Sequence, residues 1–147
     1  MRLQNIRFPE PDICREEELY FHRNGEWIDF NGYFNLFYIE KRKKYTNQET
    51  LTLHLEVGDC QAVRLMHDET MIREIELSGQ PEPLTLEFPY QEIDKGVFWF
   101  SVKPGISSKS DVLQLSGWYE GKCQEEKPVR IAAVVCTFKR EPYVLRN

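Results

Sequence analysis

Residues 51–57 read Leu-Thr-Leu-His-Leu-Glu-Val, with apolar and polar side chains alternating at every step. Successive side chains of a strand point to opposite faces, so a period of two fits a half-buried β-strand and no helix. Leu51, Leu53, Leu55 and Val57 face one way; Thr52, His54 and Glu56 face the other. The same pattern returns in "PLTLEFPY", with Leu84, Leu86 and Phe88 inward. "AVRLMHDETMIREIELSG" reads as two strands about a polar turn near Asp68 and Glu69, with Ile75 and Leu77 inward. "GVFWFSVKPG" and "DVLQLSGWYEG" supply further strands. Turn signals recur at roughly 8–14 residues, the spacing of sandwiches and barrels, and no helical period persists before residue 129. The expected fold is therefore all-β, with about eight to ten strands in two packed antiparallel sheets, a jelly-roll-like β-sandwich.

The N-terminal part adds detail. Leu3 to Phe8 is strand-like and is closed by Pro9 and Pro11. Two Asn-Gly pairs follow, Asn24-Gly25 and Asn31-Gly32. Each is flanked by aromatic and β-branched residues, a strong hairpin signal. The run Lys41-Arg42-Lys43-Lys44 reads as a solvated strand end or loop. It is a local exception in a chain of net charge −5, a balance that argues against a dedicated nucleic-acid binder. The chain has 147 residues, enough for one domain with a proper core, and 13% are aromatic, as suits pleated half-buried surfaces.

Cys14, Cys60, Cys123 and Cys136 form no CxxC pair, and no histidine stands at metal-ligand spacing from them. They are expected as reduced thiols of a cytosolic protein. The polar N-terminus "MRLQNIRFPEPD" is not expected to be a signal peptide, and no 18-residue apolar run occurs.

The pattern changes near the end. "GKCQEEKP", residues 121–128, is polar, ends in proline and reads as a linker. Ile131 to Cys136 is apolar throughout, like a strand buried on both faces of a parallel α/β sheet. A boundary is expected near residue 125. The sandwich would span 1–125, and 126–147 would hold a linker and the first strand of an incomplete α/β domain.

Chemistry-bearing signals are sparse. His22, His54 and His67 each fall on the polar side of a strand or beside a turn. "HDE" at 67–69 looks like a turn tip, where consecutive residues diverge too far to share a metal. There is no Gly-rich phosphate loop and no DxD motif. The aromatics carry more weight. Trp99, Trp118 and Tyr119 are the candidates for stacking on a sugar ring, against the simpler reading that they fill the core. Within "VFWFSV", Trp99 must face away from Phe98 and Phe100.

Two stretches carry a resemblance. "VRIAAVVCTFKREPYVLRN" resembles the opening of a family 2, GT-A type glycosyltransferase domain, whose first strand ends in a Thr-x-x-Arg turn, here Thr137-Phe138-Lys139-Arg140. "ELYFHRNG", "YFNLFYIEKRKKYT", "GVFWFSV" and "LSGWYEG" occur in the same order as in the N-terminal β-sandwich of bacterial galactofuranosyltransferases. That resemblance covers the chain from about residue 18 onward. It implies a non-catalytic accessory domain of an enzyme that builds cell-surface polysaccharide. The domain would buttress the catalytic domain, help place a glycan acceptor or mediate homo-oligomerisation. It implies Thr137 and Arg140 as contacts to a nucleotide sugar in the complete enzyme only, where a strand's carboxyl end meets the ligand. It implies a UDP-sugar donor and a divalent Mg or Mn in that enzyme, and no cofactor in this segment. The implied partners are its own C-terminal GT-A domain and a glycan acceptor. The implied location is the cytoplasm, with peripheral association at the inner face of the cell membrane. The run "FNGYFNLFYIEK" departs from the "FDTYFNLFP"-like run of the best-known members, which leaves the donor sugar open. On this reading the chain is a piece of a longer protein. A free-standing carbohydrate-binding module is the alternative.

Overall fold

The computed structural model describes residues 1–106 and 115–123. The expected boundary near residue 125, the apolar run 131–136, and Thr137 and Arg140 lie outside the described residues.

Ten strands are described. They are β1 (Arg2–Asn5), β2 (His22–Asn24), β3 (Trp27–Asp29), β4 (Phe37–Tyr38), β5 (Leu51–Val57), β6 (Cys60–His67), β7 (Thr70–Glu76), β8 (Glu82–Phe88), β9 (Val97–Pro104) and β10 (Leu115–Glu120). A smaller sheet runs β1-β10-β5-β8, and a larger one runs β2-β3-β9-β6-β7 with β4 also against β9. Every pairing between these strands is antiparallel. With the short β2 and β4 set aside, the other eight have a simple order. Counted along the chain, the first, eighth, third and sixth make one sheet, and the second, seventh, fourth and fifth make the other. That interleaving is the jelly roll, so the all-β antiparallel sandwich expected from the alternation is the fold.

The inward sets are those the alternation marks. In β5, Leu51, Leu53, Leu55 and Val57 are buried while Thr52, His54 and Glu56 are not. In β9, Phe98, Phe100 and Val102 are completely buried in the sandwich core. Their rings interlock with those of other elements. Phe30 stacks on Phe100 at 4.6 Å, Phe88 packs on Phe98 at 4.6 Å, and Phe37 reaches Tyr119 at 5.2 Å. Each fully buried large apolar side chain contributes roughly 1.5–3 kcal/mol, and aromatic pairs add to that.

Two local expectations are corrected. The basic run is not a strand end or loop. Residues Ile39–Tyr45 form a helix, α1. Its one buried residue, Ile39, anchors it, and the five residues that follow are straight-chain helix formers. Arg42, Lys43 and Lys44 sit in the last turn, where cations suit the helix dipole, and the Thr46 hydroxyl donates to the Arg42 carbonyl at 2.6 Å. The second correction concerns Asn31-Gly32, which makes no hairpin. Gly32 lies against the Leu19–Tyr20 backbone so closely that a Cβ there would sit 2.4 Å from it. Asn24-Gly25 does join β2 to β3, with Gly25 at φ 60.

Candidate functional site

The three aromatics singled out from the sequence fall in three different environments. Tyr119 is fully buried between the sheets, packed on Phe37 and Phe88. A core ring cannot stack on a ligand from solvent, so its assignment as a sugar contact is corrected. Trp118 and Tyr119 are neighbours on β10, and the strand period allows only one of them to face out. Trp99 points away from the core but is only 8% exposed, and its indole N–H donates to the Asp68 carbonyl at 2.7 Å. Its polar tip is spent holding the β6–β7 turn. Trp118 alone of the three is half-buried on an outer sheet face.

That face belongs to the smaller sheet. Pairing sets Trp118 opposite His54 of β5 and Asn5 of β1, and sets Glu120 opposite Thr52 and Arg2. Partners opposite each other on neighbouring strands share a face. The Trp118 ring lies nearly parallel to the His54 ring, with centroids 5.0 Å apart at 17°. From β1, on the other side of β10, the Arg2 guanidinium stands 4.2 Å from the same ring's centroid. The indole is thus gripped from both neighbouring strands, by a cation–π contact and by a stack.

Glu120 ties this ladder together. Its Oε2 lies 3.4 Å from the Trp118 indole nitrogen, which donates to it, and 3.4 Å from His54 Nε2. The second is a close approach without a hydrogen bond, because His54 Nε2 is buried and makes none. His54 Nδ1 meets the Thr85 hydroxyl of β8 at 3.3 Å. Further along, the Ser116 hydroxyl donates to Glu56 at 3.2 Å. The outer face therefore presents a fixed indole among carboxylates and hydroxyls from β5, β8 and β10 and a guanidinium from β1. Along β1 it opens into a shallow cavity of about 360 Å³ lined by Arg2, Leu3, Gln4, Asn5 and Arg7. Arg2 is common to the ladder and the cavity.

His54 reads from the sequence as a plain exposed strand histidine, and the alternation does put it outward with Thr52 and Glu56. Arg2 and Glu120 carry no signal of their own. What makes them a site is the β1–β10–β5 pairing, which local pattern does not specify.

Among the described residues, no three His, Cys, Asp or Glu side chains converge to hold a metal ion. Cys14, Cys60 and Cys123 are free thiols. No helix among the described residues is long and apolar enough to cross a membrane. No protein-family model matches the sequence, and no curated protein matches it significantly.

Proposed function

We propose that this domain is the non-catalytic accessory domain of a family 2 glycosyltransferase, galactofuranosyltransferase-like, acting in cell-surface polysaccharide synthesis. Its task is to hold the growing glycan acceptor beside the catalytic GT-A domain. The observation that carries the holding role is the Trp118 ladder. An indole immobilised by Arg2 and His54, with Glu120 within reach of both Trp118 and His54, loses little further freedom when a ligand arrives. Carboxylates such as Glu56 and Glu120 accept from sugar hydroxyls. The hydroxyls of Ser116 and Thr85 and the guanidinium of Arg2 donate to them. Trp118 presents its edge, since both faces are engaged, and so supplies apolar contact without a stacking platform.

The blocks that carry the resemblance come together in the fold. Tyr20 of the first block packs on Phe34 of the second at 5.1 Å. Phe37 of the second pairs with Phe98 of the third and packs on Tyr119 of the fourth at 5.2 Å. Four blocks scattered along the chain thus make one contiguous core. That core specifies the sandwich, and function is carried by the face built on it.

The test is titration of the 147-residue chain with galactofuranose oligosaccharides and a wider glycan set by calorimetry. Binding in the millimolar range or tighter is expected, weakened at least about tenfold by Trp118→Ala or Glu120→Gln and unchanged by Trp99→Phe. Absence of binding to every glycan, or equal binding by Trp118→Ala, sinks the holding role. The gene beyond Asn147 tests the remainder. A GT-A continuation with a DxD motif is expected, and glycan binding without one assigns the domain as a free-standing carbohydrate-binding module.

A further inference from the structure

Tyr33 and Tyr45, 65% and 73% exposed, are the only exposed aromatic side chains among the described residues. Tyr45 is the last residue of the basic helix α1, and Tyr33 lies near its start. Tyr33 lies 6.4 Å from the Tyr38 ring, the Lys41 ammonium stands 5.3 Å from the same Tyr38 ring, and the Lys44 ammonium stands 5.1 Å from that of Tyr45. Lys41, Lys44 and Tyr45 are three and four residues apart and so share one side of the helix, with Tyr38 at its N-terminal cap. The result is a continuous ridge of tyrosine rings and ammonium groups.

Its charge is largely unspent. Lys43 is committed to Asp94 at 2.7 Å, and Arg42 leans half-buried over Phe37 at 5.3 Å. Lys41 and Lys44 are exposed and meet no carboxylate among the described residues, with Glu40 the only acid on the helix. A positive ridge on a chain of net charge −5 is complementary to an anionic partner. Ring geometry selects the kind of partner. Tyr33 is inclined at 60° to Tyr38 and at 73° to Phe34, so the rings make no flat platform for a sugar or a base. Tilted tyrosines with a polar tip beside lysines suit the headgroup zone of a bilayer, where amphipathic rings settle and lysines attract anionic lipid.

We propose that the ridge of Tyr33, Tyr38, Lys41, Lys44 and Tyr45 seats the domain on an anionic lipid surface. This surface is separate from the Trp118 face and does not depend on the glycan reading. The experiment is co-sedimentation of the 147-residue chain with vesicles of phosphatidylcholine alone and of phosphatidylcholine mixed with phosphatidylglycerol. The expected result is binding to the mixed vesicles only, weakened by salt, and reduced at least about tenfold in Lys41→Glu/Lys44→Glu. Tyr33→Ser/Tyr45→Ser, which keeps the charge, should lose binding too, and thermal melts should show both variants folded. No binding to the anionic vesicles, or undiminished binding by the charge-reversed variant, overturns the proposal. So does a soluble polyanion such as heparin binding the ridge where vesicles do not, since that assigns the charge to a different partner.

Discussion

Asn35 grips the backbone of Arg7 by both ends of its carboxamide: Oδ1 accepts the Arg7 amide at 2.8 Å, and Nδ2 donates to the Arg7 carbonyl at 2.9 Å. The same Nδ2 also donates to the Tyr20 carbonyl at 2.8 Å, and the side chain is completely buried. One amide thus joins the segment after β1 to the segment before β2. Asn35→Ala would remove three hydrogen bonds and leave the Arg7 amide and carbonyl without this partner, while the Tyr20 carbonyl keeps the Gly32 amide at 3.3 Å. Each group left unpartnered costs roughly 1–3 kcal/mol, so a loss of about 2–4 kcal/mol is expected in denaturant unfolding. Asn35→Asp keeps the acceptor but loses both donated bonds and buries a charge. It should be worse than alanine near neutral pH and recover relative to alanine in acid, as protonation removes the charge.

The two Asn-Gly pairs should respond differently to alanine. Gly25 has open space around it but sits at φ 60, so Gly25→Ala carries only the left-handed penalty of about 1–2 kcal/mol. Gly32→Ala drives a methyl into the Leu19–Tyr20 backbone, where nothing flexible can yield. A loss of roughly 3 kcal/mol or more is expected, together with disturbance of the Gly32 amide's bond to the Tyr20 carbonyl. Thermal melts of the two variants, run side by side, check the order. Equal losses would mean that close packing is not what keeps glycine at position 32.

These two glycines also mark how far the sequence could be read. Alternation of period two is a local property, so the inward faces of β5, β8 and β9 and the sandwich itself were legible. A dipeptide signal is local as well, but Asn31-Gly32 owes its glycine to contact with residues a dozen positions earlier, which no hairpin rule registers. The helix at 39–45 leaves no helical period in the sequence, because it is seven residues long with a single buried anchor. The Trp118 ladder was half legible. Alternation on β10 and β5 turns Trp118, Glu120 and His54 outward, but Arg2 joins them from the far end of the chain through strand pairing. Aromatic density alone does not say which of two adjacent rings the strand turns inward, so it does not separate Tyr119 from Trp118.

Thiol chemistry should separate the cysteines. Burial, with Asp59 alongside, pushes the Cys60 thiol up to about 11, whereas Cys14 and Cys123 are half-exposed. The thiolate is the reactive form, so Cys60 should resist alkylation in the native state at about pH 8. Peptide mapping should find Cys14 and Cys123 modified first and Cys60 only on unfolding. Rapid native labelling of Cys60 would place it outside the core.

Alkaline pH should unfold the domain by the same physics. Burial raises Tyr119 strongly above the ordinary tyrosine value and also raises Tyr20 and Tyr90, where Cys14 adds to the effect at Tyr20 and Arg42 opposes it at Tyr90. Cys60 moves the same way. For each group the folded value lies above the unfolded one. Its contribution is therefore fully present below the unfolded value and is lost as pH climbs through the folded one, because the unfolded chain releases the proton first. Stability should hold to about pH 9 and then fall steeply above about pH 10. The near-ultraviolet tyrosinate band should grow in two stages. The later stage belongs to Tyr20, Tyr90 and Tyr119, which are buried and ionise only together with loss of the β-sheet circular-dichroism signal. Tyr119→Phe removes the hydroxyl, which is buried without a hydrogen-bond partner, and keeps the ring's contacts with Phe37 and Phe88. That variant should match or exceed wild-type stability at neutral pH and unfold at higher pH than wild type. A single-stage tyrosinate titration that leaves the sheet signal intact would contradict the burial of all three rings.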